Sequence, residues 1–200
     1  MFKAIIFDFG GPIMNYETES VYVKHAVKHD VAVEALRDLF KEFWRGGHRG
    51  EYENILDFYE KYKPELGLTI EQLNEVLKDI NATIRIDKRM ISYIAELKQR
   101  GYKTAILSNY TNGLVELLER VLNIYHLFDV VISSHALKIA KPDPRIFEHA
   151  LNRLEVTAQE AIFIDDTVGH VKAAQKLGIT GIIYKNFDQC KNELENILAH

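Results

Sequence analysis

Asp8 ends a short apolar run at residues 4–7, and Asp165-Asp166 follow another at 161–164. A carboxylate at the carboxyl end of a buried strand stands at the sheet edge, where reacting groups collect. On neighbouring parallel strands these residues would crowd three carboxylates into one small space. Their repulsion is costly unless a hard cation lies among them, and an oxygen-only donor set suits Mg²⁺. Any one of these aspartates alone also reads as a helix cap. Three of them on two strands read as a site. Gly10 and Gly11 follow Asp8, so backbone N–H groups there can approach an anionic ligand closely. Ser108-Asn109 follows the run at 104–107 and brings a hydroxyl donor to the same edge. Lys141 opens Lys141-Pro142-Asp143-Pro144, where Pro144 suits the start of a helix. An ammonium fixed there would neutralise a phosphoryl group or Asp8 itself.

These residues need a frame, and the apolar pattern supplies one. Runs at 4–7, 104–107, 130–132, 161–164 and 181–184 are compact and barely alternate, as strands buried on both faces do. Between the later runs lie helical stripes. Met90, Ile91, Ile94 and Leu97 form one, closed by Gly101 as a C-cap. Leu114, Leu117, Leu118 and Val121 form another; Ile146, Phe147, Ala150, Leu151 and Leu154 form a third. Thr157-Ala158-Gln159-Glu160 reads as a capping box. Strand and helix in alternation predict a doubly wound parallel sheet of the α/β class. Residues 15–86 break the rhythm: they show no strand, and their apolar residues keep helical spacing. Leu36, Leu39, Phe40 and Phe43 make one face. Leu73, Val76, Leu77 and Ile80 make another, behind the box Thr69-Ile70-Glu71-Gln72. The expected organisation is an α/β core of 1–14 and 87–200, with an α-helical cap of 15–86 over the sheet's carboxyl edge.

Phe7-Asp8-Phe9-Gly10-Gly11, Leu107-Ser108-Asn109, Lys141-Pro142-Asp143-Pro144 and Phe163-Ile164-Asp165-Asp166 resemble, in order, the four motifs of the haloacid dehalogenase superfamily. The resemblance spans nearly the whole chain, and the helical insert resembles that family's small helical cap. It implies a Rossmann-like core and a phosphatase in which Asp8 attacks phosphorus to form an aspartyl-phosphate, later hydrolysed by water. It further implies Mg²⁺ held by Asp8, the Gly10 carbonyl and the Asp165-Asp166 pair, chiefly Asp166. Ser108 and Lys141 would then hold the phosphoryl oxygens. One residue departs from the pattern. Most phosphatases of the family carry a second aspartate two positions after the nucleophile, as general acid and base, and Gly10 stands there. His170 occupies a position often held by asparagine; it reads either as a titratable group near the site or as a helix-surface histidine beside Lys172.

The expected substrate is a small phosphorylated metabolite, a sugar phosphate or nucleotide. Within Trp44-Arg45-Gly46-Gly47-His48-Arg49-Gly50, the basic groups Arg45, His48 and Arg49 either reach an anionic or sugar-like ligand or sit solvated on a turn. A 2-haloacid dehalogenase, which needs no metal and lacks the second aspartate, is the rival enzyme. Asp165-Asp166 stands against it, because a metal-free site would leave those carboxylates uncompensated. A degenerate member that binds without turnover is the non-catalytic rival. A dinucleotide-binding role lacks the full glycine pattern. His25 and His29 share a helical face at metal-ligand spacing, but no local acid or cysteine completes a set, which leaves a solvated face. The net charge of −4 gives no footprint for nucleic acid or an anionic membrane. Residues 1–8 contain no run long enough for a signal or a span. The one cysteine, Cys190, permits no intrachain disulfide and suits a reducing cytoplasm; its polar surroundings mark it as incidental. A monomer or homodimer is expected.

Overall fold

A computed structural model describes residues 1–62 and 66–199. In chain order the elements are β1 (Ala4–Phe7), β2 (Met14–Asn15), α1 (Glu19–His29), α2 (Val33–Gly47), α3 (Ile55–Tyr62), α4 (Ile70–Ala82) and β3 (Arg85–Ile86). Then come α5 (Lys88–Gln99), β4 (Lys103–Ser108), α6 (Leu114–Glu116), β5 (Val130–Ser133), α7 (Ser134–Leu137) and α8 (Pro144–Leu154). The chain ends in β6 (Ala161–Asp165), α9 (Val168–Lys176), β7 (Thr180–Ile183) and α10 (Phe187–Leu198).

The five long strands form one parallel sheet in the order β5-β4-β1-β6-β7. All four residues of β1 are fully buried, which is why this run carries no polar alternation. Ile5 and Phe7 face a core shared with Tyr93, Ile94 and Leu97 of α5. Ala4 and Ile6 face the opposite core, with Ile146, Phe147 and Ala150 of α8. Successive strands are added on one side of β1 (β4, β5) and then on the other (β6, β7), so the strand order switches between β1 and β6 and a crevice opens at their carboxyl ends.

Local chemistry sets the helix ends. Asp143 caps α8 through the Arg145 N–H at 3.0 Å, and Pro144 occupies its first turn. Gly101 takes φ +92 just beyond the α5 C-cap. Thr69 and Gln72 exchange bonds as a true capping box. The box at Thr157 also forms, but over a single 3₁₀ turn, Ala158–Glu160. The stripe after Gly113 departs further from expectation. Only α6 is α-helical, and Leu117–Val121 continues as a π-helix.

Helices α1 to α4 bury Leu36, Phe40, Phe43, Phe58, Leu73 and Val76 in a hydrophobic cluster of their own. The expectation of no strand between 15 and 86 fails at the ends of that interval. Met14 and Asn15 pair antiparallel with Ile86 and Arg85, so the chain leaves and re-enters the sheet region through one short ribbon. Two-residue strands carry no periodicity to read. The solvated reading of the histidine pair also fails for His25, which is fully buried because α4 packs over it. Cys190 is likewise not peripheral. It lies in the core beside Leu194, and burial followed by the charge of Glu193 pushes its thiol up to about 12.

Candidate active site

The sheet delivers the site. The β1 ladder runs one residue further, with the Asp8 N–H donating to the Ile164 carbonyl at 2.8 Å. The chain then turns sharply, and the Met14 N–H returns to the Phe9 carbonyl at 2.8 Å. Gly11 makes this turn at φ +82, and a Cβ there would meet Cγ of Asp166 at 2.7 Å. Asp8 therefore lies between the ends of β4 and β6, with Ser108 on one side and Asp165 on the other.

Lys141 joins them. Its Nζ lies 2.6 Å from Oδ2 of Asp165 and 3.0 Å from Oδ1 of Asp8, and both the Lys141 and Asp165 side chains are 0% exposed. The ammonium also sits 5.3 Å from the centre of the Phe163 ring. Asn109 fixes the lysine's backbone from both directions: its Nδ2 donates to the Lys141 carbonyl at 2.9 Å, and its Oδ1 accepts the Lys141 N–H at 2.8 Å. The Asn109 amide thus holds the lysine loop against the end of β4. Asp8 Oδ1 accepts the Phe9 N–H at 2.7 Å.

The three carboxylates differ in their support. Burial raises the pKa of Asp8, opposed by the charge of Lys141 and reinforced by repulsion from Asp165; hydrogen bonds from Lys141 and Ser108 also favour the ionised form. Burial acts against Asp165 too, but the hydrogen bond from His170 and the charge and hydrogen bond of Lys141 bring it to about 2. Asp165 further accepts the Thr167 N–H at 2.7 Å. Asp166 is raised by burial and then by repulsion from Asp165. One ammonium thus faces three carboxylates, which leaves a net deficit of positive charge that a divalent cation fits. Asp165 is engaged by Lys141, Thr167 and His170, whereas Asp166 meets only the Thr167 hydroxyl, at 3.4 Å, among the hydrogen bonds of the described residues. Asp166 lines the cavity with Asp8 and Gly10, and all three could offer oxygen donors to a hard cation.

His170 is not a bystander on the helix surface. Its Nδ1 lies 3.0 Å from Oδ2 of Asp165, and a ring nitrogen stands within 4.8 Å of ligand-type oxygens of Asp8 and Asp165. The sequence offered only its place one helical turn after Asp166, which marks either a site face or a surface face.

Above the carboxylates opens a cavity of about 500 Å³. Asp8, Gly10, Gly11, Ser108, Asn109, Asp166 and His170 line its floor; Tyr16, Trp44, His48, Ile80, Ile84 and Tyr110 are among its other lining residues. Of the basic groups in the segment at 44–50, His48 lines the cavity, while among the described residues neither Arg45 nor Arg49 does. Arg45 is paired with Glu42 at 2.6 Å, and Arg49 is exposed. His48 brings no charge at neutral pH, because burial and then the positive Lys141 lower its pKa to about 4.

That shift has a stability consequence. The ring protonates near 6.5 when unfolded and near 4 when folded, so the unfolded chain binds the extra proton between those values. Stability therefore falls as pH drops through that window and is unaffected above it. Substituting His48→Gln should remove about 1–2 kcal/mol of this fall, after allowance for screening of a partly exposed ring. Urea midpoints of both proteins across the window measure it, and parallel pH curves would reject it.

Comparison with known proteins agrees with the architecture. A sequence model for haloacid dehalogenase-like hydrolases matches residues 2–178. The sesquiterpene phosphatase astK of Aspergillus oryzae is 29% identical over 182 residues, which cover 90% of this chain and 89% of that protein. The (S)-2-haloacid dehalogenase 1 of a Pseudomonas species is 27% identical over 90% of this chain and 83% of its own. In fold, the chain is similar to a HAD family enzyme of Bacteroides thetaiotaomicron solved in complex with magnesium and inorganic phosphate. That likeness has a TM-score of 0.73 at 20% identity, covering 92% of this chain and 95% of the other. With a family match across most of its length, the chain belongs to the haloacid dehalogenase-like hydrolases.

Proposed function

We propose that the chain is a magnesium-dependent phosphomonoesterase whose nucleophile is Asp8. The observation that carries this reading is the shared ammonium of Lys141, which anchors Asp8 beside the Ser108 hydroxyl and favours its charge against burial, while Asp166, raised by burial and by Asp165, lines the cavity next to it. Asp8 attacks phosphorus, the bond to the ester oxygen breaks, and an aspartyl-phosphate forms. Water then attacks that phosphorus and frees the carboxylate with inorganic phosphate. Ser108, which lines the cavity, faces the charge that grows on the phosphoryl oxygens, and Lys141 acts from behind Asp8. Asp8, Asp166 and the Gly10 carbonyl would hold Mg²⁺, which would further neutralise that charge. The helices at 15–86 act as the cap of an α/β core, and their Trp44, His48 and Ile80 cover the leaving group. Among the described residues no lysine or arginine lines this cavity, so the preferred ester carries no second anion. A sugar monophosphate or a nucleoside monophosphate, stacked on Tyr16, Trp44 or Tyr110, meets that condition. The phosphatase activity named for the Aspergillus relative supports the same reaction class.

Gly10 favours a second reading, 2-haloacid dehalogenation, because a departing halide needs no proton, and the Pseudomonas relative bears that name. Phosphate and halide release decide between them. The panel is an aryl phosphate, sugar 1-phosphates, nucleoside monophosphates, primary alkyl phosphates and a 2-haloacid, with Mg²⁺ and with EDTA. Magnesium-dependent phosphate release from the activated esters is expected. Halide release without phosphate release sinks the phosphatase reading. A Cβ at Gly10 would meet nothing within 4 Å, so the backbone there accepts a side chain's first carbon without a clash. Gly10→Asp should accordingly speed hydrolysis of the alkyl phosphates by about 10²-fold or more, by supplying an acid for the leaving oxygen. The aryl phosphate should gain far less, and equal gains on both would show that proton donation is not what the site lacks.

A further inference from the structure

We propose that His25, His29 and Glu75 form a transition-metal site of the zinc class that staples α1 to α4. The two histidines stand one turn apart on α1, and Glu75 reaches them from α4. One ligand atom from each lies within 4.8 Å of the other two. Nδ1 of His25 and Nε2 of His29 are 3.4 Å apart. That is long for a hydrogen bond, which prefers about 2.9–3.0 Å. It matches two nitrogens on one tetrahedral ion, where bonds of about 2.0–2.1 Å place them about 3.3–3.4 Å apart.

The outer partner of His25 suits the same use. Nε2 of His25 lies 2.8 Å from Oδ2 of Asp79, which takes its proton in a hydrogen bond and leaves the Nδ1 lone pair facing His29. A carboxylate behind a ligating imidazole is the usual means of fixing its tautomer and orientation. His29 presents its outer nitrogen, Nδ1, to the side-chain amide of Gln72 at 3.1 Å. Coordination through Nε2 puts the His29 proton on Nδ1, and the Gln72 NH2 group must then draw back from it, because the Gln72 oxygen stays on the Thr69 N–H at 2.8 Å. His25 is fully buried, so the first ligand is held rigidly by packing.

Two lysines border the cluster, Lys24 on Asp79 at 2.6 Å and Lys28 on Glu75 at 2.5 Å. The Lys28 side chain is 46% exposed and can release Glu75 to an ion by turning into solvent. Imidazole donors select Zn²⁺, Co²⁺ or Ni²⁺ over Mg²⁺, which separates this site chemically from the all-oxygen donors around Asp8.

The test is a Co²⁺ titration of the full chain in excess Mg²⁺, read by visible absorption, together with thermal melts in Zn²⁺. One Co²⁺ per chain with a strong tetrahedral band is expected. A Zn²⁺ concentration about 100 times the Kd should raise Tm by about 5–10 °C. His29→Ala and Glu75→Gln should lose both signals while keeping the native circular dichroism. Asp166→Asn should keep both. His29→Gln, closer in volume, replaces His29→Ala should that variant fail to fold. Absence of the band in the folded wild type, or an undiminished band in the His29 variant, overturns the site. So does a band lost in Asp166→Asn alone, because the ion would then belong to the catalytic carboxylates.

Discussion

Replacing Asp8 by asparagine should lower phosphate release by about 10⁴-fold or more and leave the fold intact, the scale on which removal of a covalent nucleophile acts in well-studied hydrolases. The substitution is nearly isosteric. Its oxygen can still accept the Phe9 N–H, which Asp8 does at 2.7 Å. Lys141 is not orphaned, because Asp165 keeps it at 2.6 Å. Burial already disfavours the Asp8 charge, so the neutral amide costs little stability. Phosphate release and a urea midpoint on the same preparation check both halves. Undiminished turnover in pure variant protein would remove Asp8 from the nucleophile's role. Acid-quenched wild-type enzyme should also carry a phosphoryl group that the variant lacks, seen by mass spectrometry.

Lys141→Met should act on stability as strongly as on rate. It removes the ammonium that Asp8 and the fully buried Asp165 share. Breaking one side of a buried charge arrangement costs about 3–5 kcal/mol, since the survivors stay uncompensated. The remaining pair can limit that cost by keeping one proton, and burial together with repulsion from Asp165 already pushes Asp8 in that direction. A protonated Asp8 cannot attack, so turnover should fall by at least about 10²-fold at neutral pH. The double variant Lys141→Met/Asp165→Asn separates the effects. It should regain much of the stability and none of the activity. A double variant no more stable than the single would mean that the loss comes from packing around Lys141 rather than charge.

Residues that act through their own position are legible in the sequence alone. Asp8, Ser108 and Asp165 end buried strands, and an apolar run with a polar terminus displays both facts in a few letters. Pro144 and the Thr69 box announced their helices by the same local logic. What stayed hidden depends on chain brought in from elsewhere. The Asn109 amide meets the Lys141 backbone across 32 residues, and His25 meets Asp79 across 54. Arg45 shows the converse: its charge suggested a ligand contact, yet it pairs with Glu42 one helical turn back on the surface. The choice between a site face and a surface face for His170 turned on how α9 packs beside β6, which periodicity does not encode.

The burial of Cys190 reaches into how the protein can be handled. Its thiol is the only one in the sequence, is fully enclosed, and is pushed up to about 12, so almost none is thiolate at neutral pH. Toward maleimides and other alkylating dyes the folded chain is in effect free of cysteine. A single cysteine introduced at exposed Arg49, beside the cavity-lining His48, is therefore the sole position that such a dye marks, with no native residue to be replaced first.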